Sequence, residues 1–158
     1  MPDSEGRIDA IWIKPAHRIP MKRVDSGELV AGRGLEGSVD RSRRRQVTLL
    51  EAESWNRCLS ELHATTDPSA RRANILLSGV RLAHTRGRVL RIGAARLEVG
   101  GELTPCEQMD AALQGLQAAL QKDWGGGVFA QVLTGGSVRV GDAVSWEVRE
   151  EREERPFA

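Results

Sequence analysis

Along most of this chain apolar residues either alternate with polar ones or gather in short β-branched runs, and in only two places do they settle into helical spacing. Residues 6–14 (GRIDAIWIK) alternate and predict a first strand, closed by Pro15. A weaker strand or hairpin is expected within 18–30, followed by a loop in which Gly32, Gly34 and Gly37 allow positive φ or close approach to a ligand. Residues 46–50 (QVTLL) read as a buried strand running directly into a helix over 51–62, with Trp55, Cys58, Leu59 and Leu62 on its inner face. Asp67 and Pro68 mark a turn before a strand at 74–77, and residues 88–92 and 95–99 form a hairpin pattern about Gly93 and Ala94. The second helix is expected over 105–121. Strands resume at 128–133 and 138–146, joined across Gly135–Gly136 and Gly141–Asp142. Short strands with glycine turns, two principal helices and no regular βα alternation predict a mainly β fold, a barrel or a sandwich with helical insertions.

The start of the second helix carries the chemistry that stands out. Thr104 is placed to cap it, Pro105 to occupy its first position and Glu107 to complete a capping box, which sets Cys106 where unpaired N–H groups favour a thiolate. The competing reading is packing. Cys106, Met109, Leu113, Leu116 and Leu120 share one helical stripe, and free cysteine is among the most buried residue types. Cys58, on the inner face of the first helix, is best explained as core.

At 158 residues the chain can bury a sizeable core without disulfides or zinc, and its 2 cysteines lack any metal-ligand spacing. The expected organisation is one domain over 1–150 and a charged, fraying tail over 151–158. An acidic N-terminus and the absence of a long apolar stretch point to a cytoplasmic protein with no membrane association. A net charge of +1 and few aromatic residues argue against nucleic acid. Within that balance all but 3 of the 23 basic residues are arginine, clustered at 41–45 and 71–72, and arginine forks suit phosphate or carboxylate in a compact pocket. His17, His63 and His84 read as surface or boundary residues, and no Ser/His/Asp or Cys/His arrangement is legible.

Six segments in order then resemble the MOSC domain, named for the C-terminal domain of molybdenum cofactor sulfurase. They are GLEG (34–37), RQVTLLEAE (45–53), RRANILLSGVRL (71–82), RIGAARLEV (91–99), PCEQMD (105–110) and GGVFAQVLTGGSVRVGD (126–142), so the similarity spans about 32–146. The resemblance implies a MOSC-type β-barrel in which Cys106 ligates the molybdenum of the pterin cofactor, molybdopterin, or bears sulfur as a persulfide. It further implies Arg45, Arg71 and Arg72 around a phosphate or the metal centre, and Gln46, Asn74 and Thr104 at pterin-like edges. The chain departs from the family pattern after Gly37, where Ser38 and Val39 precede Asp40, so the family's aspartate is either displaced by two positions, which makes Asp40 a site residue, or absent in role.

Three functions follow as expectations. In the first, Cys106 ligates molybdenum for two-electron reduction of N-hydroxylated compounds, with a separate electron donor, since no flavin, haem or iron–sulfur motif is legible. In the second, Cys106 receives sulfur from a separate cysteine desulfurase. The chain lacks a pyridoxal-phosphate domain, so it is not expected to bind that cofactor. In the third, an arginine-lined pocket binds a small anionic or pterin-like ligand without catalysis.

Overall fold

The computed structural model describes residues 5–39 and 42–148; the tail expected at 151–158 lies outside them. Its frame is a barrel closed by seven strands. The first strand, β1 (Gly6–Ile13), follows the predicted alternation, with Gly6, Ile8 and Ala10 turned inward and Arg7 outward. The weak segment after it resolves into β2 (Lys22–Val24) and β3 (Ser26–Val30), and β4 (Gly34–Leu35) follows. Next come β5 (Val47–Glu51), helix α1 (Ala52–Glu61), a 3-10 turn (Pro68–Arg71) and β6 (Ile75–Ser78). The hairpin is β7 (Val89–Ile92) and β8 (Ala95–Glu102), and the chain continues through α2 (Gln108–Ala112), α3 (Leu116–Gln121), β9 (Val128–Thr134), β10 (Gly136–Arg139) and β11 (Ala143–Trp146).

The large sheet runs β11–β7–β8–β9–β5–β6–β1–β2, and pairing of β11 with β1 closes the ring. One edge of β1 takes β6, while its other edge is shared by β11 at Gly6 and Arg7 and by β2 from Ile11 to Ile13. Closure leaves no long free edge in the barrel. All its pairs are antiparallel except β5 with β6, which are parallel because α1 carries the chain back between them. A separate sheet, β10–β3–β4, covers one end. The expected direct continuation of the last two runs is therefore corrected: after Gly135, β10 leaves β9 and pairs with β3.

Two cores result. Inside the barrel, residues such as Ile11, Leu49, Ile75, Leu77, Leu90 and Leu97 are fully buried, each favoured by about 1.5–3 kcal/mol relative to exposure. Outside it, α1 and α3 pack with the barrel wall through Leu50, Trp55, Cys58, Met109, Leu116 and Leu120.

The second helix differs from expectation. It is broken at Leu113, whose backbone is extended (φ −160°, ψ 119°), and at Gly115 (φ +91°). A Cβ at Gly115 would lie 3.0 Å from Leu62, so the break is where the chain approaches α1. Asp110, expected only as part of a continuous helix, accepts a hydrogen bond from Gln117 N (3.0 Å) and serves the start of α3. The predicted capping box is absent too. Helix α2 begins only at Gln108, and neither Thr104 nor Glu107 caps it through a side chain.

Candidate functional site

Removing 104–107 from the helix takes Cys106 off the apolar stripe. Met109, Leu116 and Leu120 stay buried in the outer core, whereas Cys106 is exposed. Its carbonyl accepts the first turn bond from Met109 N (2.9 Å). The packing interpretation of Cys106 is thereby overturned, while Cys58, at 0% exposure, is packed in the core.

Cys106 stands on the wall of a cleft of about 220 Å³. The floor comes from Thr48 of β5, Gln46 just before it and Asn74 just before β6. One side carries Arg71 and Arg72 from the 3-10 turn, and Lys14 and Ser38 close the other. The turn is set by Asp67, whose carboxylate accepts from Ser69 N (2.9 Å), a bond that holds its pKa below the usual carboxylate value. Arg72 ends the turn in the left-handed region (φ 63°), so the two neighbouring arginines diverge.

Arg71 is buried at 8% exposure. Its Nε donates to Gly126 O (2.9 Å) and its Nη2 to Leu103 O (2.8 Å), tying the segment before Cys106 to the glycine loop 125–127. Burial pulls its pKa down, the nearby Cys106 sulfur pulls it up, and Arg45 pulls it down again. A guanidinium stays charged under such a shift. Among the described residues no carboxylate pairs with it. Arg72 reaches across to Ile19 O (3.0 Å), and the guanidinium of Arg45 lies 5.0 Å from the centre of the Phe129 ring. The described lining thus holds Lys14, Arg45, Arg71 and Arg72, with no aspartate or glutamate.

The two amides do different work from that expected of them. Asn74 Oδ1 accepts from Thr48 N (3.1 Å) and Thr48 Oγ1 (3.2 Å), and its Nδ2 donates to Trp12 O and Ser38 Oγ (both 3.2 Å). With all four hydrogen-bonding positions engaged, Asn74 clamps β1, β5 and the 38–39 loop together beneath the cleft. Gln46 Nε2 donates to Arg43 O (3.0 Å) and its Oε1 accepts from Val132 N (2.9 Å), which extends the β5–β9 ladder by a side chain. Thr104 is exposed and does not line the cleft. Asp40 lies outside the described residues.

The structure therefore gathers Arg45, Gln46, Arg71, Arg72, Asn74 and Cys106 at one cleft and leaves Thr104 beside it. Sequence reasoning missed Lys14, Ser38, Thr48 and Gln108. Lys14 had a faint signal, being one of only 3 lysines in an arginine-rich chain and standing at the end of the first strand. Among the described residues no group of three or more His, Cys, Asp or Glu side chains gathers as a metal-ligand set. No helix there is long and apolar enough to cross a membrane.

A sequence model of the MOSC domain matches residues 36–145, well over half of the chain and across every element that lines the floor of the cleft. The chain belongs to the MOSC domain family. That family is associated with the molybdenum cofactor. In three dimensions this MOSC protein is similar to the YuaD protein of Bacillus subtilis, at 20% identity and a TM-score of 0.77 over 89% of this chain and 94% of that one. It is also similar to YiiM from Geobacillus stearothermophilus (15% identity, TM-score 0.72, 91% of this chain and 76% of that one). YiiM from Escherichia coli resembles it as well, at 18% identity and a TM-score of 0.67, over 91% of this chain and 71% of that one. At such identities the shared property is the barrel fold. No curated protein matches the chain in sequence.

Proposed function

We propose that this MOSC protein binds the molybdenum cofactor in the arginine-lined cleft and that Cys106 supplies a thiolate ligand to the metal. The observation that carries this reading is Arg71, a buried cation that donates to two backbone carbonyls and has no carboxylate partner among the described residues, beside the exposed Cys106 sulfur. A buried charge that those residues leave without a counter-ion favours an anionic ligand.

The residues present fit such a group. Four cationic side chains line the cleft, and of its two soft donors, Cys106 and Met109, the thiol is the exposed one while Met109 is buried. At about 220 Å³ the cleft is smaller than the roughly 300–1,000 Å³ of pockets that swallow whole ligands, so it suits the charged end of the cofactor. Arg71 holds that end from below, Arg45, Arg72 and Lys14 neutralise it from the rim, and Asn74 and Gln46 keep the floor rigid. The bound cofactor would supply two-electron chemistry, such as reduction of an N-hydroxylated compound, with electrons from a separate donor protein.

A second reading rests on a different observation. Cys106 is exposed and lies in an irregular segment between β8 and α2, where a partner such as a cysteine desulfurase can reach its sulfur. In that reading the cleft receives sulfur as a persulfide and passes it on.

One preparation tests both readings. Protein made in cells that synthesise the cofactor should carry close to one molybdenum and one pterin per chain, lost in Cys106→Ser. Metal-free protein bearing a cyanide-labile sulfur, absent from the same variant, would favour the carrier. Protein holding neither would overturn both and leave the cleft as a simple anion-binding module.

A further inference from the structure

We propose that the protein has a second anion site, for the phosphate group of a small organic molecule, in a cavity of about 460 Å³ built by the 79–88 loop and Trp146. It shares no lining residue with the Cys106 cleft.

Three observations meet there. The guanidinium of Arg88 lies over the Trp146 ring, 4.6 Å from its centre, and its Nε is buried with no hydrogen-bond acceptor among the described residues. Stacking occupies the face of the fork and leaves its N–H edges for an in-plane oxygen. Unlike the surface arginines Arg91 and Arg96, which pair with Glu147, Arg88 has no carboxylate partner among the described residues.

Beside it, Arg81 and His84 share a single carboxylate, Asp123, at 3.0 Å and 2.9 Å. Arg81 also feels the Glu51 carboxylate, so its charge is already compensated, and Arg88 is the cavity's unpaired cation among the described residues. Glu51 and Glu53 accept from Leu82 N and Gly79 N, which holds the loop in shape, and neither residue lines the cavity.

The third observation is backbone strain. His84 (φ 58°), Asp123 (φ 50°) and Trp124 (φ 60°) all occupy the left-handed region without being glycine. They also touch one another: His84 bonds Asp123, and its ring lies 5.2 Å from that of Trp124. Such conformations cost of order 1 kcal/mol or more each and collect where a site is held in a required shape.

A tetrahedral phosphate suits this arrangement better than a carboxylate. Its oxygens leave in three directions and can meet donors on Arg81, His84 and Arg88, which stand on separate turns of the loop. The cavity exceeds what one phosphate needs, and the indole of Trp146 supplies an apolar wall for an organic remainder.

Isothermal titration of the full chain with inorganic phosphate, and separately with glycerol 3-phosphate, tests the site. A saturable event at this site is expected, tighter for the organic phosphate, and retained in an Arg45→Gln/Arg72→Ala double variant that weakens any anion binding in the other cleft. Arg88→Gln should weaken it roughly tenfold or more, the loss expected of a charged hydrogen bond. Arg81→Gln, at a residue whose side chain is 73% exposed and so safe for folding, should weaken it several-fold. Wild-type affinity in both variants would overturn the proposal. So would the absence of saturable binding of either phosphate up to about 10 mM, beyond which an ion pair confers no useful affinity.

Discussion

The two cysteines of this protein have the same side chain and opposite situations, and the contrast shows what makes a thiol available. Cys58 lies on the inner face of α1 at 0% exposure, and burial pushes its pKa up. Cys106 lies in an irregular segment at the rim of a cationic cleft and is exposed. Both follow apolar helical spacing in the sequence. What separates them is that α1 continues unbroken past Cys58, whereas α2 starts two residues after Cys106.

The contrast can be broken or sharpened experimentally, and alkylation should give the widest separation. Iodoacetamide is expected to modify Cys106 in the native protein, while Cys58 reacts only through unfolding, slower by roughly 10³-fold or more. Peptide mass spectrometry reads the two sites separately, and equal rates would erase the distinction. Next in size is function. Cys106→Ser should reduce bound molybdenum by about 100-fold or more, whereas Cys58→Ser should leave loading intact. Its cost is instead about 1–3 kcal/mol of stability, from placing a hydroxyl in an apolar core, measured by urea unfolding.

The support beneath the cleft comes third. Arg71→Met should cost about 2–3 kcal/mol, because Gly126 O and Leu103 O lose a charged donor, and it should also weaken anion binding at Cys106. Gly127→Ala attacks the same loop from the other side. Its φ is +102°, and an added Cβ would sit 2.1 Å from Leu49 O, so about 2–4 kcal/mol should be lost. An unfolding midpoint equal to wild type in either variant would show that the loop is not held as described.

The smallest expected effect is at Glu51, on the far end of the same strand. Burial raises its pKa despite a hydrogen bond from Leu82 N. Because its folded pKa lies above the unfolded value, the folded chain binds more protons in the window just above the ordinary carboxylate range. Stability from this group is therefore full at low pH and falls as pH rises through the folded pKa. Glu51→Gln removes the penalty, so the variant should gain on wild type between about pH 4 and pH 7. Unfolding at both pH values checks the sign.

Much of the fold was legible along the chain because a strand with one buried face must alternate. Strand β1 ends within a residue of its expected limit, β5 runs straight into α1, and β7 and β8 form the expected hairpin. The glycine loop also behaves as read, with Gly32, Gly34 and Gly37 all at positive φ. The second helix was misread because an apolar stripe at helical spacing survives a break if the two halves enter the same core. Here α3 packs on α1, while α2 packs on α3 and the 3-10 turn, and both feed the outer core. The one local hint was Gly115, and its meaning depended on Leu62, more than fifty residues away.

The candidate site was legible as a set of residue types and illegible as a geometry. Arg45, Arg71, Arg72 and Cys106 announced themselves by chemistry, but Asn74 and Gln46 turned out to spend their amides on the barrel's own backbone. Lys14 and Ser38 reach the cleft only because Ser38 Oγ accepts from Lys14 N (3.1 Å), joining loops that the sequence sets 24 residues apart.

By itself, then, the order of residues determined the barrel's strands, the helix after β5 and the kinds of side chain available for anion chemistry, because alternation, glycine turns and guanidinium groups act locally. Only the folded molecule decided that β11 closes on β1, that the second helix breaks, and that Cys106 rather than Cys58 meets solvent beside Arg71. Those outcomes depend on which distant surfaces find each other, and burial energy is settled by neighbours in space rather than neighbours in sequence.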